Sequence, residues 1–258
     1  MGRLDGERAL VTGSTAGIGR AIATRFAREG AHVVVTGRDQ GRAEQVTDEI
    51  RSGGGTAEVV TADLGVDGAC AELVTAAFDR LGGLTVLVNN AAAGTVDEAD
   101  GPVGELSSTA WDATIRVNLT APMELSRAAI PRMLDAGHGS IINISSRQAE
   151  RAARGFTAYI ATKSGLNGLT RAIAVDYAAH NIRANTISPG YVINDRRDAD
   201  LTPERRDRLE GMHLTRLGVA DDVAHAAVYL ASSESEFLTG INLPLDGGSS
   251  AARGTVLG

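Results

Sequence analysis

One tyrosine and one lysine of this chain are spaced for proton transfer. Tyr159 and Lys163 lie four residues apart in a segment with a helical pattern, so they share one face of that helix. A phenol with a pKa of about 10 is a poor base near neutrality, but a nearby ammonium favours the phenolate and lowers that pKa. The pair could therefore give a proton to a carbonyl oxygen or take one from an alcohol.

Lys163 is also the single lysine among 25 basic residues, the other 24 being arginine. Lysine carries a compact point charge and arginine a rigid planar fork, so the two substitute poorly for each other at a tight site. The lone lysine is typical of a position where arginine would not work, although an arginine-rich composition alone could also leave one lysine.

A pair of hydroxyls precedes this helix. Ser145 and Ser146 follow a predicted strand at residues 140–144, and Ser146 lies thirteen residues before Tyr159. A serine hydroxyl at the end of a strand can donate a hydrogen bond to a substrate oxygen as negative charge develops on it. From the residues alone either serine could serve, and an ordinary loop serine would look the same.

Strand-length apolar runs alternate with longer helical patterns along the chain. The predicted strands cover residues 9–12, 32–36, 58–61, 85–89, 140–144, 182–187 and 241–245. The predicted helices cover residues 18–29, 42–52, 70–80, 110–136, 156–179 and 221–231, and the fourth is expected to bend near Pro122 or Pro131. Such strands indicate a parallel sheet covered on both faces. We predict one doubly wound, Rossmann-type α/β domain of about seven strands over residues 1–258.

A glycine-rich turn joins the first predicted strand to the first helix. It reads G-x-x-x-G-x-G, with Gly13, Gly17 and Gly19. Ligands of doubly wound sheets bind beyond the carboxyl ends of the strands. Glycine lets the backbone approach a phosphate closely, and the free N–H groups of a helix N-terminus attract an anion. The turn therefore predicts a binding site for the pyrophosphate of a dinucleotide.

The residues after the second strand indicate which dinucleotide binds. An NAD site commonly has Asp or Glu there to hold the ribose 2′-hydroxyl, whereas an NADP site supplies Arg. Here Gly37 is followed by Arg38, and a guanidinium can bind a 2′-phosphate bidentately. The sequence favours NADP(H), while Asp39, one residue further along, leaves NAD(H) open.

The remaining motifs occur in a recognisable order. They are Asp63-Leu64, Asn89-Asn90-Ala91, Asn118, Ser146, Tyr159-x-x-x-Lys163, Pro189-Gly190 and Asp246-Gly247-Gly248. With this order and spacing, residues from about 6 to 248 resemble a short-chain dehydrogenase/reductase of the single-domain branch. The resemblance implies an enzyme that interconverts a small-molecule carbonyl and a secondary alcohol with a nicotinamide cofactor.

The resemblance also implies roles for individual residues. Tyr159 would be the general acid/base, and Lys163 would contact the nicotinamide ribose. Ser146, chosen over Ser145 by the family spacing, would hold the substrate oxygen, and Asn118 would hold a relay water. The implied cofactor site consists of Gly13, Thr15, Gly17, Ile18, Gly19, Arg38, Asp63, Leu64, Asn89, Ala91, Tyr159, Lys163, Pro189, Gly190, Val192 and Asn194.

The chain departs from the family pattern at two positions. Ala92 replaces the glycine that usually ends the Asn-Asn-Ala-Gly motif, and Asn194 stands where a threonine often binds the nicotinamide carboxamide. Asparagine can donate and accept the same hydrogen bonds. We therefore expect altered local geometry with cofactor binding retained.

Residues 191–216 resemble the variable substrate lobe of the family. Within them, Thr202 is predicted to cap a short helix that begins at Pro203. By the same resemblance, the helices around residues 110–136 and 156–179 would pack subunits into a homotetramer or homodimer.

Composition and charge argue against several other classes of protein. A net charge of −7 disfavours a nucleic-acid partner, and a single cysteine, Cys70, precludes an internal disulfide and indicates the cytoplasm. We expect neither a signal peptide nor a membrane span, because the sequence shows no apolar segment typical of either. Its five histidines are scattered, so no metal site is predicted. No G-x-S-x-G elbow of a serine hydrolase is present.

Three alternative functions remain open at this stage. The protein could be an NAD(H)-dependent alcohol dehydrogenase, a family member that performs epimerisation or dehydration through a bound nicotinamide, or a non-enzymatic dinucleotide-sensing scaffold. The presence of Asn118, Ser146, Tyr159 and Lys163 together argues against the scaffold, since a protein that only binds has no need of all four.

Overall fold

The computed structural model describes residues 2–93, 100–194 and 198–251. Seven parallel strands form one sheet in the order β3-β2-β1-β4-β5-β6-β7. The strands are β1 (Arg8–Val11), β2 (His32–Val35), β3 (Thr56–Val59), β4 (Val86–Asn89), β5 (Gly139–Ile144), β6 (Ile182–Pro189) and β7 (Asn242–Leu245). The predicted doubly wound fold is confirmed.

Helices cover both faces of the sheet because the central strands are apolar on both sides. The helices are α1 (Gly17–Arg28), α2 (Gln40–Ser52), α3 (Ala69–Leu81), α4 (Ser108–Ile115), α5 (Ala121–Ala136), α6 (Thr157–Tyr177), α7 (Pro203–Glu210) and α8 (Ala220–Ala231). One apolar core joins α1, α2 and α8 to one face of the sheet, and a second joins α3, α5 and α6 to the other.

The long helix expected at residues 110–136 is interrupted. The five residues Arg116–Thr120 form a π-helical turn between α4 and α5. Pro122 explains the position of this turn, since a proline ring clashes with the carbonyl four residues earlier, here that of Asn118. The interruption therefore lies just before Pro122, one of the two expected places, while Pro131 lies within the continuous helix α5.

Two further expectations concern boundaries. The third strand begins at Thr56, two residues before the expected start, where Thr56 pairs with His32 of β2. In the substrate lobe, Thr202 accepts a hydrogen bond from the backbone N–H of Arg205, and α7 starts at Pro203 as predicted. Residues 195–197 of that lobe and residues 252–258 of the C-terminal tail lie outside the described part of the chain.

Candidate active site

A cavity of about 520 Å³ lies where the carboxyl ends of the strands meet. It is bordered by the segments that follow β1, β2, β3, β4, β5 and β6. The strand order reverses its direction between β1 and β4, and this switch point is where doubly wound sheets bind their ligands.

Tyr159 and Lys163 both line this cavity from α6. The Nζ atom of Lys163 lies 5.6 Å from the centroid of the Tyr159 ring. Lys163 is 3% exposed, and its Nζ donates a hydrogen bond to the carbonyl oxygen of Ile144 at 2.8 Å. Burial disfavours the charged form of an amine and lowers the pKa of Lys163 to about 8.

The two serines after β5 have different surroundings. Ser145 is buried, and its Oγ donates to the carbonyl oxygen of Lys163 at 3.0 Å. Ser146 is partly exposed, and its Oγ accepts a hydrogen bond from the backbone N–H of Gln148 at the start of a short 3₁₀ turn. Ser145 thus ties β5 to α6, whereas the Ser146 hydroxyl keeps its proton available to a ligand in the cavity.

Asn118 lies in the π-helical turn and is fully buried. Its Oδ1 accepts from the backbone N–H of Ala93 at 2.7 Å, and its Nδ2 donates to the carbonyl oxygen of Ala93 at 2.8 Å. Both ends of the amide are therefore engaged with the segment that follows β4. Asn118 itself does not appear among the residues that line the cavity.

The glycine loop brings the backbone close to the cavity. Gly13 has φ of +63°, a left-handed conformation that favours glycine. A Cβ atom on Gly19 would lie 2.3 Å from the carbonyl oxygen of Gly13, so position 19 cannot carry a side chain in this arrangement. Helix α1 begins at Gly17, and its first N–H groups have no intrahelical acceptor. The loop therefore offers N–H donors suited to a phosphate.

The end of β2 supplies a cation and no facing carboxylate. Arg38 is exposed and lines the cavity. A Cβ on the preceding residue, Gly37, would lie 2.7 Å from Cγ2 of Thr15, so an acidic side chain there would have to displace Thr15. Asp39 instead caps α2, where its Oδ1 accepts from the backbone N–H of Arg42 at 3.1 Å.

The asparagine pair after β4 requires a correction. Asn89 was expected in the cofactor site, but it is buried, and its Nδ2 donates to Oδ1 of Asn143 on β5 at 2.8 Å. Asn90 lines the cavity in its place, and its Nδ2 donates to the carbonyl oxygen of Thr12 at 2.8 Å. Successive residues of a strand point to opposite sides, so only one of two adjacent asparagines can face the ligand.

The segment after β6 closes the opposite side of the cavity. A Cβ on Gly190 would lie 2.8 Å from Cα of Asp246, which explains a glycine there. The amide nitrogen of Asn194 lies 3.0 Å from where a Cβ of Gly17 would stand. Asn194 therefore lies over the glycine loop, at the cavity wall.

Nearly all the predicted residues meet at this cavity. Of the catalytic set, Ser146, Tyr159 and Lys163 line it, and of the cofactor set only Asn89 does not. The lining residues that were not predicted are Ala16, Thr36, Gly37, Ala62, Asn90, Ala92, Ala93, Val117, Ile144, Ser145 and Ile193. Most of them are adjacent in sequence to a predicted strand end or motif. This adjacency could have been used to predict that they line the cavity.

Comparison with known proteins decides the family. A family model described as enoyl-(acyl carrier protein) reductase matches residues 13–250. A 2,5-dichloro-2,5-cyclohexadiene-1,4-diol dehydrogenase of Sphingobium indicum is 37% identical over 247 residues, which cover 95% of this chain and 97% of the relative. The chain belongs to the short-chain dehydrogenase/reductase family. It is an oxidoreductase that acts on alcohol and carbonyl groups, like the named members of that family.

Other short-chain dehydrogenases/reductases match at similar levels. The 7alpha-hydroxysteroid dehydrogenase of Escherichia coli is 34% identical over 247 residues, or 95% of each chain. The structure of a gluconate 5-dehydrogenase from Burkholderia cenocepacia in complex with NADP and tartrate has a TM-score of 0.90 and 33% identity, and the match covers 97% of this chain and 98% of that chain. A 3-oxoacyl (acyl-carrier-protein) reductase from Agrobacterium tumefaciens with NADP bound has a TM-score of 0.89 and 33% identity, over 95% and 94% of the two chains.

The described residues contain no group of three or more His, Cys, Asp or Glu side chains placed to hold a metal ion. Among the helices of the described segments, none combines the length and the apolar character needed to cross a membrane.

Proposed function

We propose that this enzyme interconverts a carbonyl and a secondary alcohol by hydride transfer with NADP(H), with Tyr159 as the general acid/base. The observation that carries the proposal is that Tyr159, Lys163 and Ser146 line the same cavity as the glycine loop and Arg38. The groups suited to proton transfer and those suited to dinucleotide binding thus line one cavity.

Each group has a task in the reduction of a carbonyl. The bound nicotinamide supplies the hydride. Ser146 donates a hydrogen bond to the carbonyl oxygen as negative charge develops there, and Tyr159 gives that oxygen its proton. The ammonium of Lys163 favours the resulting phenolate. In oxidation of an alcohol, the same groups work in reverse.

Asn118 contributes to proton supply through its backbone. Its side-chain amide is already bonded to Ala93 at both ends, and Pro122 lacks the N–H that would close an α-helical hydrogen bond to the Asn118 carbonyl. We assign the relay water to that carbonyl oxygen. The side chain then holds the β4 segment against the π-helical turn.

The preference for NADP(H) rests on the end of β2. Arg38 forms no hydrogen bond or ion pair with the described residues and is available to a 2′-phosphate. Thr15 occupies the space that an acidic residue 37 would need, and Asp39 is committed to capping α2. Four structural relatives were solved with NADP bound, which supports the same cofactor here.

The substrate class follows from the chemistry and from the relatives. Relatives are named for a cyclohexadienediol, a hydroxysteroid, D-threitol and gluconate, all of which carry secondary hydroxyl groups. NADPH consumption with cyclohexanone, diacetyl and 5-keto-D-gluconate tests the reductive direction. NADP⁺ reduction with cyclohexanol, D-threitol and D-gluconate tests the oxidative direction. Turnover of none of them, with no binding of NADPH, would refute the proposal.

We also propose a cytoplasmic homotetramer or homodimer built from single-domain subunits of residues 1–258. Met123 on α5 and Val175 on α6 are exposed apolar residues, the latter 82% exposed, and the single cysteine is free. Burial of such residues between subunits would remove apolar surface from water. Light scattering on the purified protein measures the oligomeric state directly, and a monomer would exclude this arrangement.

A further inference from the structure

The catalytic helix α6 begins without a cap of its own. Phe156 occupies the N-cap position and supplies no side-chain hydrogen bond. The first N–H groups of a helix lack intrahelical acceptors, and those at the second and third positions are the ones that a capping side chain usually satisfies. Here these two positions are Ala158 and Tyr159. The N–H groups that Phe156 leaves without a capping side chain therefore include that of Tyr159, the proposed acid/base.

A carboxylate from a distant segment takes over this task. Asp100 accepts the N–H of Ala158 through Oδ1 at 3.1 Å and the N–H of Tyr159 through Oδ2 at 2.9 Å. Its Oδ1 also accepts from the backbone N–H of Gly101 at 2.9 Å. Asp100 lies 59 residues before Tyr159 and belongs to the stretch between β4 and α4. The carboxylate therefore joins the backbone at Asp100 to the first turn of α6.

A second set of hydrogen bonds connects Ala93, the last residue described directly after β4, to Tyr159. Ala93 is bonded at both its N–H and its carbonyl oxygen to the amide of Asn118. Asn118 in turn lies 3.5 Å, through Nδ2, from Oγ1 of Thr162, which donates to the carbonyl oxygen of Tyr159 at 2.7 Å. The amide of Tyr159 is thus held by Asp100, and its carbonyl by Thr162, which lies next to Asn118.

The negative charge of Asp100 also affects the ionisation of Tyr159. Lys163 and Asp100 contact Tyr159 with opposite charges, the first at 5.6 Å from the ring and the second at the backbone amide. Ser146 lines the same cavity as Tyr159, and Asn118 lies 3.5 Å from the Thr162 hydroxyl that donates to the Tyr159 carbonyl; both side chains are uncharged. A negative charge disfavours a second negative charge nearby, so Asp100 opposes formation of the phenolate that Lys163 favours.

We propose that Asp100 is a positioning residue for Tyr159, which fixes the first turn of the catalytic helix and sets the pH at which the phenol ionises. The proposal rests on the proposed function of Tyr159. Aspartate is suited to this position because its two oxygens satisfy two adjacent N–H groups, and because a carboxylate also interacts favourably with the positive end of the helix dipole.

The test separates geometry from charge with two variants. Asp100→Asn keeps the shape and one acceptor oxygen but removes the charge, and Asp100→Ala removes both. Ser107→Ala is the matched control, because Ser107 caps the neighbouring helix α4 through the backbone N–H of Ala110 and lies outside the cavity. The ionisation of Tyr159 is followed by tyrosinate absorbance against pH, after subtraction of the same titration on Tyr159→Phe counterparts.

We expect Asp100→Asn to ionise Tyr159 at a pH lower by at least about half a unit, because a like charge has been removed. We expect Asp100→Ala to lose kcat by about tenfold to a hundredfold, the effect of a misplaced catalytic group. In the control Ser107→Ala, KM for the ketone and the Kd for NADPH should stay within twofold of wild type. The pH at which Tyr159 ionises in this variant should equal that of wild type within the error of the titration.

Two results would overturn this role for Asp100. One is an unshifted Tyr159 titration in Asp100→Asn, and the other is a kcat of Asp100→Ala equal to that of Ser107→Ala. Either would reduce Asp100 to an ordinary helix cap. The absorbance titration needs no substrate, so it decides the role of Asp100 even if wild type reduces no ketone, a result that would count against the proposed function alone.

Discussion

The ammonium of Lys163 donates a hydrogen bond to the carbonyl oxygen of Ile144, 2.8 Å away, while the lysine itself is 3% exposed. A neutral carbonyl compensates a buried charge less well than a carboxylate would. The hydrogen bond holds the lysine side chain in place, but burial lowers its pKa because it disfavours the charged form.

This burial gives the stability of the protein a specific pH dependence. The pKa of Lys163 is lowered from 10.5 to about 8, so between these values the unfolded chain binds a proton that the folded chain does not. Stability rises with pH in that window. Relative to Lys163→Met, the free energy of unfolding of wild type should increase by about 2 kcal/mol between about pH 7 and about pH 9.5.

Urea denaturation of both proteins at the two pH values measures this difference. Groups other than Lys163 titrate in both chains, so their contributions largely cancel in the comparison. A difference that stays constant with pH would show that the lysine is solvated in solution and keeps its ordinary pKa.

Removal of the phenol should abolish turnover and spare cofactor binding. Tyr159→Phe keeps the aromatic ring in the cavity but has no proton to transfer, and general acid/base groups contribute about 10²- to 10⁴-fold. We expect kcat to fall within that range while the Kd for NADPH, from its fluorescence, changes less than twofold. Tyr177→Phe, at the opposite end of α6, is the control. A Tyr159→Phe variant with full turnover would show that another group supplies the proton.

The cofactor preference can be tested at one arginine. Charge-assisted hydrogen bonds are worth about 1.5–3 kcal/mol, so Arg38→Ala should bind NADPH about tenfold to a hundredfold more weakly. Its affinity for NADH should be unchanged. Arg28→Ala is the control, because Arg28 is exposed at the far end of α1. Equal losses for the two nucleotides in Arg38→Ala would mean that Arg38 does not recognise the 2′-phosphate.

Local patterns were sufficient to predict most of this site. The four-residue spacing of Tyr159 and Lys163 places both on one side of α6 whatever the rest of the fold does, and the glycine loop needs only a preceding strand and a following helix. The strand order was not predicted in detail, but every parallel arrangement brings the carboxyl ends together. Residues at those ends could therefore be assigned to one cavity from the sequence.

The features that the sequence did not predict are those that depend on tertiary contacts. Asn89 and Asn90 are identical residues in adjacent positions, and which of them faces the ligand depends on the strand register. Asp100 had no local signal at all, since its partners lie 58 and 59 residues away on another helix. Pro122 did carry a signal, because its clash with the carbonyl of Asn118 explains the π-helical turn, but that turn type was not inferred.

The two serines after β5 offer a matched pair for the last prediction. Ser146→Ala removes a donor that faces the cavity, and loss of one such donor lowers kcat by about 10²- to 10³-fold. Ser145→Ala removes the buried bond to the carbonyl oxygen of Lys163 and should lower the free energy of unfolding by about 1–3 kcal/mol. We expect Ser146→Ala to lose less stability in urea than Ser145→Ala, because its bond to the Gln148 N–H is partly exposed, and we expect Ser145→Ala to retain most of its kcat. The reverse pattern would transfer the oxyanion contact to Ser145, because the two hydroxyls are adjacent in the chain and only their orientation assigns them different tasks.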